Sequence, residues 1–156
     1  MAALPSHENL AQYMGEALEE ARAAGEAGDV PVGAIVVLDD VIIGRGRNRR
    51  VADDDPLAHA EVEAIRAAAA HVGRWRLDGA TLVVTLEPCP MCAGALVQSR
   101  VSNLAFGAFD AKAGGVRSVF QICEDRRLPH RLDVSAGGRA EECSQVLRDF
   151  FSARRG

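Results

Sequence analysis

At 156 residues the chain is sized for one domain, residues 1–156, and its 48% hydrophobic and 26% charged residues exclude disordered, collagen-like and disulfide-scaffold classes. A formal net charge of −4 weighs against a protein that coats nucleic acid through bulk electrostatics. The longest apolar runs are too short to cross a bilayer. The start Met1-Ala2-Ala3-Leu4-Pro5 has neither a basic nor an apolar leader, so a cytoplasmic protein with no membrane contact is the expectation.

Apolar residues at Leu10, Met14, Ala17, Leu18 and Ala21 recur at helical spacing and predict a first helix over 6–24, with Ser6 as its cap. The β-rich runs 32–38 and 41–44, separated by Asp39-Asp40, predict an antiparallel hairpin. The polar stretch 45–56 reads as a loop and 58–70 as a helix. A strand follows over 81–85, then a helix over 91–98 with Pro90 at its first position, and a strand over 103–107. Beyond a glycine-containing loop come a helix near 116–123, a strand over 131–135 and a final helix over 140–153. That last helix carries Cys143, Val146, Leu147, Phe150 and Phe151 on one face. After the hairpin, strands alternate with helices, which predicts a mostly parallel sheet covered on both faces.

Two motifs fall at predicted helix starts. His59-Ala60-Glu61 alone is weak, because a capped helix start with a solvent-facing glutamate explains it equally well. Pro88-Cys89-Pro90-Met91-Cys92 is stronger, since a Cys-x-x-Cys at a helix start directs both sulfurs at one ion and the helix dipole favours thiolates. Two cysteines do not complete a zinc site, and Cys123 and Cys143 are isolated residues that read as small buried thiols. His7, His71 and His130 read as surface residues. His59 is therefore the best third ligand, and a His-Cys-Cys set leaves a fourth position for the water that a hydrolysis consumes. Glu61, beside the metal but not on it, is the candidate proton shuttle.

His-x-Glu followed by Pro-Cys-x-x-Cys is the signature of the zinc nucleobase deaminases. Beyond it, the chain resembles the bacterial tRNA adenosine deaminases that convert wobble adenosine to inosine. The resemblance runs through Val30-Pro31-Val32-Gly33-Ala34, Asn48, Asp55-Pro56, Thr85-Leu86-Glu87, Ser99-Arg100, Phe106-Gly107-Ala108, Asp110-Ala111-Lys112 and the tail Phe150-Phe151 with Arg154-Arg155. It implies a three-layer α/β/α cytidine-deaminase-like fold with a five-stranded mixed sheet, one zinc ion per subunit and a homodimer. It also implies a tRNA anticodon stem-loop as partner. On this resemblance Asn48, the backbone at Ala60, Asp110 and Lys112 bind substrate, and Phe151, Arg154 and Arg155 contact RNA. Ordinary turn chemistry is the competing explanation of Asn48 and Asp110.

The chain departs from the family at Phe109, at Gly115-Val116-Arg117 and at Pro129, on the side expected to meet the anticodon loop. Two other functions compete. Deamination of a free base or nucleoside of guanine or cytosine type fits the acidic charge and the few aromatic residues, but leaves Asp110-Ala111-Lys112 and the tail without a purpose. A structural zinc or redox module has no use for Glu61 and lacks a fourth ligand.

Overall fold

The computed structural model describes residues 3–155, the last without its side chain. The first helix, α1 (His7–Glu26), starts where Ser6 accepts a hydrogen bond from the Asn9 N–H, as the sequence predicts. Strands β1 (Gly33–Leu38) and β2 (Val41–Arg47) pair antiparallel through a two-residue turn in which Asp39 and Asp40 both take positive φ. Such a turn matches the twist of the paired strands, and aspartate is among the side chains that tolerate it. Strand β2 runs three residues beyond its predicted end, because Arg45 and Arg47 flank a buried Gly46 and so continue the alternation of a sheet edge.

Helix α2 (Ala60–Val72) ends on Gly73, which is left-handed. Strand β3 (Thr81–Leu86), helix α3 (Pro90–Gln98) and strand β4 (Asn103–Ala108) form a parallel crossover unit. Strand β5 (Asp133–Ala136) adds to β4 in parallel, and helix α4 (Ala140–Arg155) closes the chain.

The sheet order is β2-β1-β3-β4-β5. It is mixed rather than mostly parallel: β1 is antiparallel to both β2 and β3, and only β3, β4 and β5 run together. Helix α2 carries the chain from β2 past β1 to β3, so β2 and β3 run in the same direction and β1 between them is antiparallel to both. Strand alternation then sorts the core into two layers. Ala34, Val36, Leu82, Val84, Leu104 and Phe106 face α2 and α3, while Ile35, Val37, Val83 and Ala105 face α1 and α4. Each fully buried Leu or Phe of these layers contributes about 1.5–3 kcal/mol relative to exposure.

The predicted helix near 116–123 does not form; only a 3-10 turn at Ile122–Glu124 is present. The backbone N–H groups of Val116, Arg117 and Ser118 point instead at the side chain of Glu87, so they cannot start a helical ladder. A buried acceptor from elsewhere in the chain outcompetes local propensity there. The tail helix docks by part of its expected face: Cys143 is buried, Val146, Leu147 and Phe150 are half-buried, and Phe151 is exposed. Among the described residues, no helix is long and apolar enough to cross a membrane.

Candidate active site

Two helix starts converge because of how each helix is seated. Ala60, Ala64 and Ala68 form a stripe of small side chains on α2, and the stripe lies on Gly44 and Gly46 of β2. A β-carbon at Gly44 would come within 2.5 Å of the Ala64 carbonyl oxygen. This close approach brings the first turn of α2 down to the sheet, with His59 as its N-cap residue and Glu61 in its first turn. Helix α3 follows directly on β3, with Cys89 as N-cap and Pro90 at the first helical position, so both sulfurs lie at the carboxyl end of a central strand.

There the Nδ1 of His59 lies 3.6 Å from the Cys89 Sγ and 3.5 Å from the Cys92 Sγ. The three ligand atoms all fall within 4.8 Å of one another. A tetrahedral zinc, with bonds of about 2.3 Å to sulfur and about 2.0–2.1 Å to nitrogen, sets its sulfur and nitrogen ligands about 3.5 Å apart. The donor set fits that ion without rearrangement. Among the described residues, these are the one group of three or more His, Cys, Asp or Glu side chains close enough to hold a metal.

The electrostatics of the cluster follow from its contacts. A hydrogen bond from Cys92 lowers the Cys89 thiol to about 4 against the opposing effect of burial, and His59 assists; Cys92 is pushed up in turn. The hydrogen bond to Cys89 raises the His59 imidazole. Glu61 is 4% exposed, and burial pushes its carboxyl up to about 7 although its own backbone N–H and the Cys92 thiol act the other way. A carboxyl in that range both takes and releases protons near neutrality.

His59 and Cys89 of the cluster line a cavity of about 210 Å³, and Cys92 is buried behind them. Asn48, Ala60 and Asp110 line it together with His59, Glu61 and Cys89. Asn48 and Asp110 also perform the turn chemistry that competed with a binding role. The Asn48 amide donates to the Val30 carbonyl (3.1 Å) and its Oδ1 accepts from the Arg50 N–H (3.1 Å). The Asp110 Oδ1 accepts from the N–H groups of Lys112 and Ala113, both at 3.1 Å. Each is thereby held rigidly at the cavity wall while keeping further hydrogen-bonding capacity.

Other expected contact residues lie elsewhere. Lys112 is exposed and outside the cavity lining. Phe151 and Arg154 are exposed on α4, where Phe151 packs edge-on against Phe150 and the Arg154 guanidinium stacks on the Phe150 ring. The side chain of Arg155 lies outside the described residues. His7 and His71 are exposed as expected, but the His130 Nε2 bonds the Val101 carbonyl at 2.6 Å and ties down its loop.

Sequence reasoning missed two buried carboxylates. Asp29, 1% exposed, accepts from the N–H groups of Val51 (2.7 Å) and Ala52 (3.1 Å), securing the loop that follows Asn48. Glu87, 2% exposed, does the same for the loop that carries Asp110. A charged residue directly after an apolar strand and directly before Pro88 was the available signal for Glu87. Arg50, Val30, Val32 and Leu86, which also line the cavity, left no trace that periodicity detects.

Fold and site together define a deaminase. Residues 8–155 match the MafB19-like deaminase family. The tRNA-specific adenosine deaminase of Bacillus subtilis (strain 168) is 48% identical over 139 residues, covering 89% of this chain and 86% of that protein. Its counterpart in Haemophilus influenzae (strain ATCC 51907 / DSM 11121 / KW20 / Rd) is 49% identical over 146 residues, covering 92% and 84%. A solved tRNA:A34 deaminase, studied for A-to-I editing at the wobble position, superposes with a TM-score of 0.84 at 43% identity, over 87% of this chain and 99% of that one. The guanine deaminase from Nitrosomonas europaea shares the fold at 26% identity, with a TM-score of 0.79 over 97% and 86%. The chain belongs to the family of tRNA-specific adenosine deaminases.

Proposed function

We propose that this enzyme hydrolytically deaminates the wobble adenosine of a tRNA anticodon loop to inosine. One observation carries the chemistry: His59 and Cys89, two members of a His-Cys-Cys set of tetrahedral spacing, share a small cavity with the buried carboxyl of Glu61. The substrate reading is supported by 42–49% identity to tRNA-specific adenosine deaminases, against 26% to the guanine deaminase.

His59, Cys89 and Cys92 would hold one zinc ion per subunit, which supplies the Lewis acidity that makes water a nucleophile at neutral pH. Glu61 takes a proton from the water that adds at C6 of adenine and delivers it to the ring nitrogen N1. It then moves the second water proton to the amino group as the C6–N6 bond breaks, so that water and adenosine become inosine and ammonia. Asn48 and the backbone at Ala60, both on the cavity lining, would read the edge of the flipped base, and Asp110 would meet its ribose. Arg50, exposed where it lines the cavity, offers positive charge to a flanking phosphate. Phe151, Arg154 and Arg155 on the tail, with Lys112, would extend that contact outside the cavity.

The same reading makes the chain one domain acting as a homodimer in the cytoplasm. None of its four cysteines is paired in a disulfide, which is compatible with a reducing compartment. Phe109, Val119 and Phe120, 46–55% exposed, are apolar residues available for a subunit contact.

The deciding experiment offers the purified enzyme an anticodon stem-loop with a wobble adenosine, alongside free adenosine, cytidine and guanine. Inosine formed in the RNA alone is the expected result. Turnover of a free base alone would replace this reading with the guanine or cytosine type.

A further inference from the structure

Among the described residues, every hydrogen bond accepted by the Glu87 carboxylate comes from one segment. Oε1 accepts from the Asp110 N–H at 3.1 Å and from the Ser118 hydroxyl; Oε2 accepts from the N–H groups of Val116 (3.2 Å), Arg117 (2.8 Å) and Ser118 (2.9 Å). The segment wraps the carboxylate so tightly that a β-carbon at Gly114 would lie 2.3 Å from it. Its far side is fixed to the metal-ligand turn, where the Gly115 N–H donates to the Pro88 carbonyl at 2.7 Å. Asp110 and Ala113, in the same segment, line the cavity.

A buried carboxylate surrounded by five donors is far stiffer than a solvated loop. Each bond to a charged acceptor is stronger than its neutral counterpart, and a substrate that finds the wall already ordered does not have to order it. We infer that Glu87 is a positioning residue: it fixes the segment 110–118 against the turn bearing Cys89 and so presents Asp110 to the substrate. This assignment rests on the function proposed above.

Glu87→Gln tests it with little change of shape. The amide oxygen can still serve the three donors at Oε2, and the Ser118 hydroxyl can turn to accept from the new NH2 group. The Asp110 N–H, however, faces a donor and loses its partner. With the stem-loop substrate, KM should rise on the order of tenfold, the loss of one hydrogen bond to a charged group, with kcat within about threefold and zinc content unchanged. In an Asp110→Ala background the same substitution should change KM by less than about twofold, because the effect passes through Asp110.

An unchanged KM, a fall in kcat alone, or an equal KM rise in both backgrounds would overturn the inference. Should Glu87→Gln fail to fold, Ser118→Ala removes one bond and keeps the carboxylate. It should raise KM in the same direction and lose that effect without Asp110; no change in KM there also overturns the inference. Failure of the wild-type enzyme on the stem-loop would instead reject the function, a distinct result.

Discussion

Gly46 of β2 lies directly beneath Ala60, the first residue of α2: a β-carbon on Gly46 would stand 2.2 Å from the Ala60 carbonyl oxygen and 2.5 Å from the Ala64 nitrogen. Neither is a flexible side-chain tip, so Gly46→Ala must push the helix off the sheet. The variant should lose about 1–3 kcal/mol of stability, as overpacked cores do. It should also bind zinc more weakly, because His59 moves with the helix. Thermal melts and metal analysis check both effects.

The ligand set predicts its own dependence on metal. Purified protein should carry about one zinc per chain, and His59→Ala or Cys92→Ala should lose both metal and deaminase activity. A chelator should inactivate the wild-type enzyme and lower its melting temperature, since a ion bound to the folded state stabilises it by mass action. Zinc added back should restore both. Full activity in a zinc-free preparation would rule out the proposed chemistry.

The proposed mechanism separates Glu61 from metal binding. Glu61→Ala and Glu61→Gln should each reduce kcat by at least about 10²–10⁴-fold, the range for loss of a general acid–base, with the zinc stoichiometry unchanged. Single-turnover kinetics on the stem-loop give the comparison. A variant that keeps its rate removes Glu61 from the mechanism.

Asp29 secures the loop that follows Asn48. Asp29→Ala removes the acceptor for the Val51 and Ala52 N–H groups and should destabilise the protein by about 1–3 kcal/mol. Denaturant unfolding measures the loss, and hydrogen exchange should show faster exchange at Val51 and Ala52.

Cys123 and Cys143 should be chemically silent. Burial pushes their thiols up to about 12 and about 11 respectively, so neither thiolate nor access is available at neutral pH. Iodoacetamide should leave both unmodified in the native protein and label both after denaturation, as read by mass spectrometry.

How much of this was legible in the chain depends on whether the determining contact is local. The cap at Ser6, the turn at Asp39-Asp40 and Pro90 at a helix start are set by neighbouring residues, and each appears where the sequence places it. The helix expected near 116–123 fails for the opposite reason. Its N–H groups find their acceptor in Glu87, about thirty residues away in sequence, and no window of neighbouring residues contains that partner. The mixed sheet was likewise hidden from simple alternation of strands and helices, because pairing β1 with β3 is a long-range choice.

By itself the sequence determined the chemistry: His59, Glu61, Cys89 and Cys92 stand at short, fixed spacings on two helix starts, and the residue types restrict what such a set can do. Only the tertiary structure decided that the two starts meet. It did so through glycines that let α2 approach the sheet, and through Asp29 and Glu87, whose buried charges require distant backbone donors. Those contacts turn a pair of motifs into a cavity with ordered walls, since hydrogen bonds and packing act on distance in space and not along the chain.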